Sequence, residues 1–340
     1  MTGIRRNKQF LRDDVLFMPE FRKREGFPGD ERGRTNIMIT VSNVTKKFDD
    51  TPALSELSCQ IPEGKIYGLV GSNGAGKSTL LRIMTGIYKA DSGSVLFDGE
   101  PVYDNPAVKE QLVFVPDELY FLPNANMKRM AAFYRNYYPN FSMERFDFLT
   151  KKLGLNPKKN LSGFSKGMRR QAATILALAC RPRYYFFDET FDGLDQIMRD
   201  AVKKLIFDDI CERNATAVLT SHSLRELDNT CDELAMLHQG RLIFSHDTDT
   251  IKTAAKKVQV VFAEEMDDET FQSVCGVPCL SLKREGKVIQ AIIKDENGDA
   301  ESHLKAKNPL LLEVLSLSLE DIFTYEMESL GYTFDMESEA

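Results

Sequence analysis

From Ile37 onward, short apolar runs alternate with longer stretches in which apolar residues recur at helical spacing. The runs cover residues 66–70, 112–115, 184–187, 215–220 and 234–237, with the length and boundaries of strands. Strands separated by helices predict a parallel sheet wrapped by helices, an α/β architecture. Between the second and third runs, residues 127–155 keep helical spacing and hold many aromatics, among them Phe133, Tyr134, Tyr137, Tyr138, Phe141, Phe146 and Phe148. This segment reads as a helical insertion, not another sheet crossover.

After about Ile251 the pattern starts afresh. It predicts a strand over 257–262, a helix near 269–275, a hairpin of 280–283 with 288–294 turning at Glu285-Gly286, a strand over 310–317 and a helix from about Leu319. The chain therefore divides into an extension over residues 1–36, a main domain over 37–250 and a small α+β domain over 251–340. A length of 340 residues, 42% of them hydrophobic, suits two domains with a core each.

The formal net charge of -7 argues against a phosphate backbone as the main partner, so no nucleic acid is expected. No apolar run reaches the ~18 residues of a membrane-spanning helix, and Arg5, Arg6, Lys8 and Arg12 stand where a signal peptide would need its apolar core. A cytoplasmic chain is expected. The six cysteines are scattered, with only Cys275 and Cys279 close, and the four histidines form no cluster with zinc spacing. Residues 1–36 carry nine Lys or Arg against six acids, so either contact with anionic lipid headgroups or a membrane partner, or simple disorder, fits them.

The chemistry concentrates in two places. Gly71-Ser72-Asn73-Gly74-Ala75-Gly76-Lys77-Ser78-Thr79 follows one strand and opens a helix. Glycines let backbone N–H groups close on an anion, aided by the positive end of the helix. Lys77 brings a cation to β- and γ-phosphates, Ser78 offers a hydroxyl to Mg²⁺ and Thr79 one to the α-phosphate. At 184–189, an aromatic strand ends in Asp188-Glu189. Two like charges at a buried tip call for a cation, so Asp188 is assigned to Mg²⁺ and Glu189 to activation of the attacking water.

With both motifs in hand, the chain resembles the ABC ATPase family over roughly residues 37–247. Phe164-Ser165-Lys166-Gly167-Met168 is similar to the family's signature loop in an FSKGM variant. Phe48 stands where the family stacks an aromatic ring on adenine, His222 matches the switch histidine, and Gly193-Leu194-Asp195 matches the loop that couples two sites across a dimer. The resemblance implies a P-loop NTPase of the ABC ATPase type with a helical subdomain at about 119–174. It also implies a subunit that hydrolyses Mg-ATP for a separate transmembrane permease subunit, at the inner face of the membrane. ATP would lie between two copies, Ser165 and Gly167 of one facing the phosphates held by the other. Tyr137-Tyr138-Pro139-Asn140-Phe141 and FSKGM look most like Gram-positive exporter ATPases that handle antimicrobial peptides or phenol-soluble modulins.

Two departures stand out. Asp117 replaces the family's metal- and water-binding glutamine and is expected to reach Mg²⁺ through water. Thr190-Phe191 stands where a proline usually follows the catalytic glutamate, which implies a change in loop rigidity. Two other readings stay open, a non-transport ABC ATPase acting on ribosome or DNA and a nucleotide-gated regulatory subunit with little turnover.

Overall fold

The structure, a computed structural model, describes residues 5–6, 38–227, 230–247, 256–293, 295, 299–315, 317–318, 320–321 and 332–333. The chain divides into two compact units, Asp30–Asp247 and a second formed by Met1–Gly29 with Thr248–Ala340. Apart from a two-residue strand at Arg5–Arg6, paired with Tyr332–Thr333, the extension expected over 1–36 lies outside the described residues.

In the larger unit, β1 (Met38–Phe48) and β2 (Thr51–Pro62) form an antiparallel hairpin, and β3 (Ile66–Val70) leads to the phosphate-loop region. The hairpin does not follow a simple two-residue period. Asn43 adopts φ 48, and the pairing register shifts between Val41 and Val44 so that Ile39, Val41 and Val44 all point inward. With β4 (Ser92–Phe97) this makes an antiparallel sheet that the alternation of apolar runs does not foretell.

The second sheet adds β5 (Leu112–Val115), β6 (Tyr184–Phe187), β7 (Thr216–Ser221), β8 (Glu233–His238) and β9 (Arg241–Asp247) to β3. Its order is β9-β8-β3-β7-β6-β5, parallel throughout except for the edge pair β8–β9. Every residue of β3, β6 and β7 is buried, as befits strands covered on both faces. Side chains of the two sheets and of helix α1 (Lys77–Met84) share one core.

Between β5 and β6 lie α2 (Met127–Tyr134), α3 (Met143–Lys152) and α4 (Lys166–Cys180). Each begins at a side-chain cap: Asn126, Ser142 and Ser165 accept the N–H of Arg129, Arg145 and Met168. The Ser165 cap sets the start of α4 at Lys166, inside the FSKGM loop. This helical region is tied to α5 (Gln196–Arg213) by buried Asp209, which accepts from Arg145 at 3.3 Å, Tyr185 at 2.6 Å and Arg213 at 3.2 Å.

The smaller unit is an antiparallel sheet of β10 (Lys256–Val261), β11 (Cys279–Glu285), β12 (Val288–Ile293) and β13 (Leu311–Leu315) in the order β11-β12-β10-β13. The helices α6 (Asp268–Cys275) and α7 (Asp299–Ala306) cover it, Phe271, Cys275 and Leu304 packing with Val258, Val260 and Ile293. The second helix has no counterpart in the sequence reading. The helix expected from Leu319 is described only at Glu320 and Asp321, and the remainder lies outside the described residues.

Phe186 of the larger sheet is fully buried and 6.2 Å ring to ring from Phe97. Phe186→Ala is expected to cost about 3–5 kcal/mol, read as a shift of the urea unfolding transition to lower denaturant.

Candidate functional site

The phosphate loop runs from the end of β3 to α1. Gly76 caps α1 with φ 107 and no side-chain hydrogen bond, and a Cβ there would lie 2.7 Å from the Ala53 carbonyl, so only glycine fits. A cap without a side-chain acceptor leaves first-turn N–H groups of α1 for an anion. Ser78 and Thr79, in that turn, are half-buried. Lys77 is buried, and its Nζ donates to the carbonyls of Gly71 at 2.6 Å and Ser72 at 3.4 Å and lies 3.2 Å from Glu189 Oε1.

At the tip of β6 the two carboxylates diverge. Phe187 pairs with Leu219 on β7, which sets Asp188 beside Thr220. The Thr220 hydroxyl donates to Asp188 Oδ1 at 2.7 Å and accepts the Glu189 N–H at 3.0 Å. Asp188 is fully buried, and its Oδ2 has no hydrogen-bond partner among the described residues. A carboxylate oxygen left so would cost several kcal/mol unless a cation or its water shell meets it, and with the Ser78 hydroxyl it makes an all-oxygen donor set that fits Mg²⁺. Glu189 takes φ 47, a left-handed conformation that turns its side chain out of the strand line toward Lys77 and His222. Its Oε2 lies 2.9 Å from His222 Nδ1 and accepts the His222 N–H at 3.3 Å. Lys77, Glu189 and His222 thus form one continuous chain of polar contacts.

The turn that presents His222 is fixed from below. Ser221 donates to buried Glu226 at 2.6 Å and accepts the Ser223 N–H at 3.0 Å. Neither Thr220 nor this Ser221–Glu226 pair was singled out from the sequence. The available signal was a run of hydroxyls, Thr220-Ser221, ending a strand next to the carboxylate strand.

Ser165 and Gly167 sit apart from this group. The Ser165 hydroxyl caps α4, accepting the Met168 N–H at 3.2 Å, and a Cβ on Gly167 would stand 2.8 Å from the Gly193 carbonyl. Lys166 pairs with Asp192 at 2.6 Å, and that hydrogen bond to the ammonium holds the Asp192 carboxyl below its usual range. Among the described residues, no hydrogen bond or ion pair joins 165–167 to the phosphate loop. Phe48 ends β1 with its ring 43% exposed, edge-on to Tyr88 at 5.6 Å and beneath Lys46. An open ring of this kind can take a flat heterocycle.

Asp117 has a partner that the sequence did not foretell. It accepts a hydrogen bond on Oδ1 from the buried guanidinium of Arg170 at 2.7 Å.

A glycine-lined anion loop before a helix, a buried carboxylate tip and a second capped helix N-terminus define a P-loop nucleotide hydrolase. Residues 54–192 match the family described as ABC transporter. Similar relatives include the ABC transporter ATP-binding protein YtrB of Bacillus subtilis (strain 168), 29% identical over 84% of this chain and 97% of the relative. Another is the lantibiotic transport ATP-binding protein SrtF of Streptococcus pyogenes, 28% identical over 62% of this chain and 92% of the relative. An ATP binding subunit of an ABC transporter of known structure superposes with TM-score 0.58 at 22% identity, over 63% of this chain and 92% of that one, a likeness of fold. Residues 54–192 thus carry an ABC transporter ATP-binding domain, and that domain is an ATPase.

Thr220→Val keeps the shape and removes both bonds to the carboxylate tip. It is expected to leave ATP binding within about twofold and to lower kcat roughly tenfold or more, the cost of about 1–3 kcal/mol for an unsatisfied buried carboxylate. Steady-state hydrolysis beside equilibrium binding of a fluorescent ATP analogue measures this, and an unchanged kcat would remove Thr220 from the site.

Proposed function

We propose that the chain is the motor subunit of an exporter, hydrolysing ATP at the seam of two copies to drive a separate transmembrane permease at the inner face of the membrane. The observation that carries the reading is the division of the site. Lys77, Asp188, Glu189 and His222 gather at one place, whereas Ser165 and Gly167 head a different helix with, among the described residues, no hydrogen bond or ion pair to them.

In this reading the 71–79 backbone and Lys77 bind the phosphates of ATP, leaving Glu189 Oε1 as Lys77 shifts its donors to the γ-phosphate. Glu189, released on one side and still held by His222 on the other, accepts the proton of the attacking water. His222 fixes the carboxylate's direction and, being half exposed, is placed to touch the γ-phosphate. Ser78 and Asp188 hold Mg²⁺, which when bound neutralises charge on the β- and γ-phosphates. Phe48 stacks on adenine. Ser165 and Gly167 of the second copy close the site with a hydroxyl and the positive end of α4.

The docking face for the permease is assigned to the helical region. Tyr120, Phe133 and Tyr137 are exposed there beside Tyr134, Tyr138 and Met130, around a cavity of about 440 Å³. An aromatic surface of this kind suits an apolar helix from another chain. Among the described residues no helix is long and apolar enough to cross a membrane, so the pathway is assigned to a partner. Export of a peptide is supported by the likeness to the lantibiotic transport protein.

Glu189→Gln keeps the hydrogen-bonding shape and removes the base. Hydrolysis is expected to fall by about 10²- to 10⁴-fold while ATP now traps a dimer, seen by size exclusion with light scattering. A variant that stays monomeric at saturating ATP, also when copurified with its integral membrane subunit, would overturn the shared site.

A further inference from the structure

The loop that leaves β5 for the helical region is held by two consecutive arginines of α4. Arg169 donates to the Leu119 carbonyl at 3.1 Å, and Arg170 donates to the Pro116 carbonyl at 2.9 Å and to Asp117 at 2.7 Å. The Arg170 side chain is only 1% exposed, and its Nε has no hydrogen-bond partner among the described residues. A guanidinium that deep in the protein needs a counter-charge, and the carboxylate bonded to it is that of Asp117, at 48% exposure. A neutral amide at position 117 would remove the carboxylate bonded to the buried cation and leave Asp192 to act on it at longer range.

Pro116 follows Val115, whose carbonyl accepts the Asp188 N–H at 2.9 Å. The opposite side of the first turn of α4 is held by Lys166–Asp192 and by the close approach of Gly167 to Gly193. The N-terminus of α4, with Ser165 at its cap, is therefore clamped between the loop after β5 and the loop after β6. Arg170, little more than one turn below Ser165, is the point through which the first of these loops acts.

We infer that Arg170 is a positioning residue and that Asp117 serves as its counter-ion, not as a metal ligand. The pair sets the direction in which Ser165 and Gly167 are presented to ATP bound by a second copy. This inference rests on the shared-site reading above.

The test uses the full chain carrying Glu189→Gln, with Asp117→Asn, Asp117→Gln, Arg170→Lys and Arg170→Gln added singly, and with Asp117→Asn combined with Arg170→Gln. Binding of a fluorescent ATP analogue to the monomer and the Mg²⁺ half-saturation of that binding are expected to stay within twofold, because the phosphate loop is untouched. The ATP concentration that half-drives dimerisation is expected to rise about tenfold for Asp117→Asn and Asp117→Gln. Arg170→Lys should recover part of the loss seen with Arg170→Gln, and the double variant should be no worse than Arg170→Gln alone. A Mg²⁺ requirement raised tenfold or more by Asp117→Asn would make Asp117 a metal ligand and overturn the inference. So would unchanged dimerisation in both Asp117 variants, or additive losses in the double variant. If Glu189→Gln alone gives no ATP-dependent dimer, the shared-site reading has failed, and the arginine clamp is then judged by kcat in the Glu189 background, which must fall with ATP binding unchanged.

Discussion

Two adjacent carboxylates at the end of a buried aromatic strand are the constraint around which the nucleotide end of the larger unit is arranged. Unit charges ~5 Å apart repel by several kcal/mol at an effective dielectric near 20, so Asp188 and Glu189 cannot share one environment without help. The backbone separates them. Asp188 continues the strand inward to the Thr220 hydroxyl, while the left-handed turn at Glu189 sends its carboxylate to Lys77 and His222. Thr220 serves both residues with one oxygen, donating to the first and accepting from the second. The phosphate loop depends on the same arrangement, since its lysine is buried and needs Glu189 as well as the Gly71 carbonyl around it.

The helical region answers to a different demand. Its α4 presents an uncommitted N-terminal end and must be held in direction without blocking that end, so its anchors lie on its flanks and lower turns. Lys166 and Gly167 meet the 192–193 loop, Arg169 and Arg170 meet the 116–119 loop, and from Gln171 to Cys180 the side chains are buried. Farther off, Asp209 joins the region to the ATPase core through Arg145, at a site where Tyr185 and Arg213 also converge. Motion of α4 relative to the sheet would strain these ties unequally, and the exposed Lys166–Asp192 pair is the weakest of them by charge screening.

Much of this was legible in the sequence where local physics is strong. The runs at 66–70, 112–115 and 184–187 are strands with those bounds because an unbroken apolar run can only be a strand buried on both faces when loops flank it so closely. The phosphate loop was legible because glycine spacing there is a backbone requirement. The β1–β2 hairpin was not, since left-handed residues at Asn43 and Glu56 shift the phase of its apolar positions and hide a two-residue period. The pairing of Asp117 was hidden for another reason. Its partner Arg170 stands 53 residues away, and no local pattern couples a loop carboxylate to the second turn of a distant helix. Thr220 likewise acquires its place only through the pairing of β6 with β7.

The loop after Glu189 brings these strands together. A non-glycine residue at positive φ is strained by about 1–3 kcal/mol and keeps that shape only if its surroundings over-determine it. A proline in the next position would help by fixing one dihedral, and here Thr190-Phe191 stands instead. Burial takes over that task. Thr190 and Phe191 are each 1% exposed, the Phe191 ring lies 5.3 Å from the Lys203 ammonium, and the turn is closed by Asp192 N–H to the Glu189 carbonyl at 3.1 Å. A pinned side chain restrains the loop as firmly as a pinned ring, but through packing that α5 supplies. The direction of the Glu189 carboxylate is consequently linked to the seating of that helix, which begins at the Asp195 cap just beyond the loop.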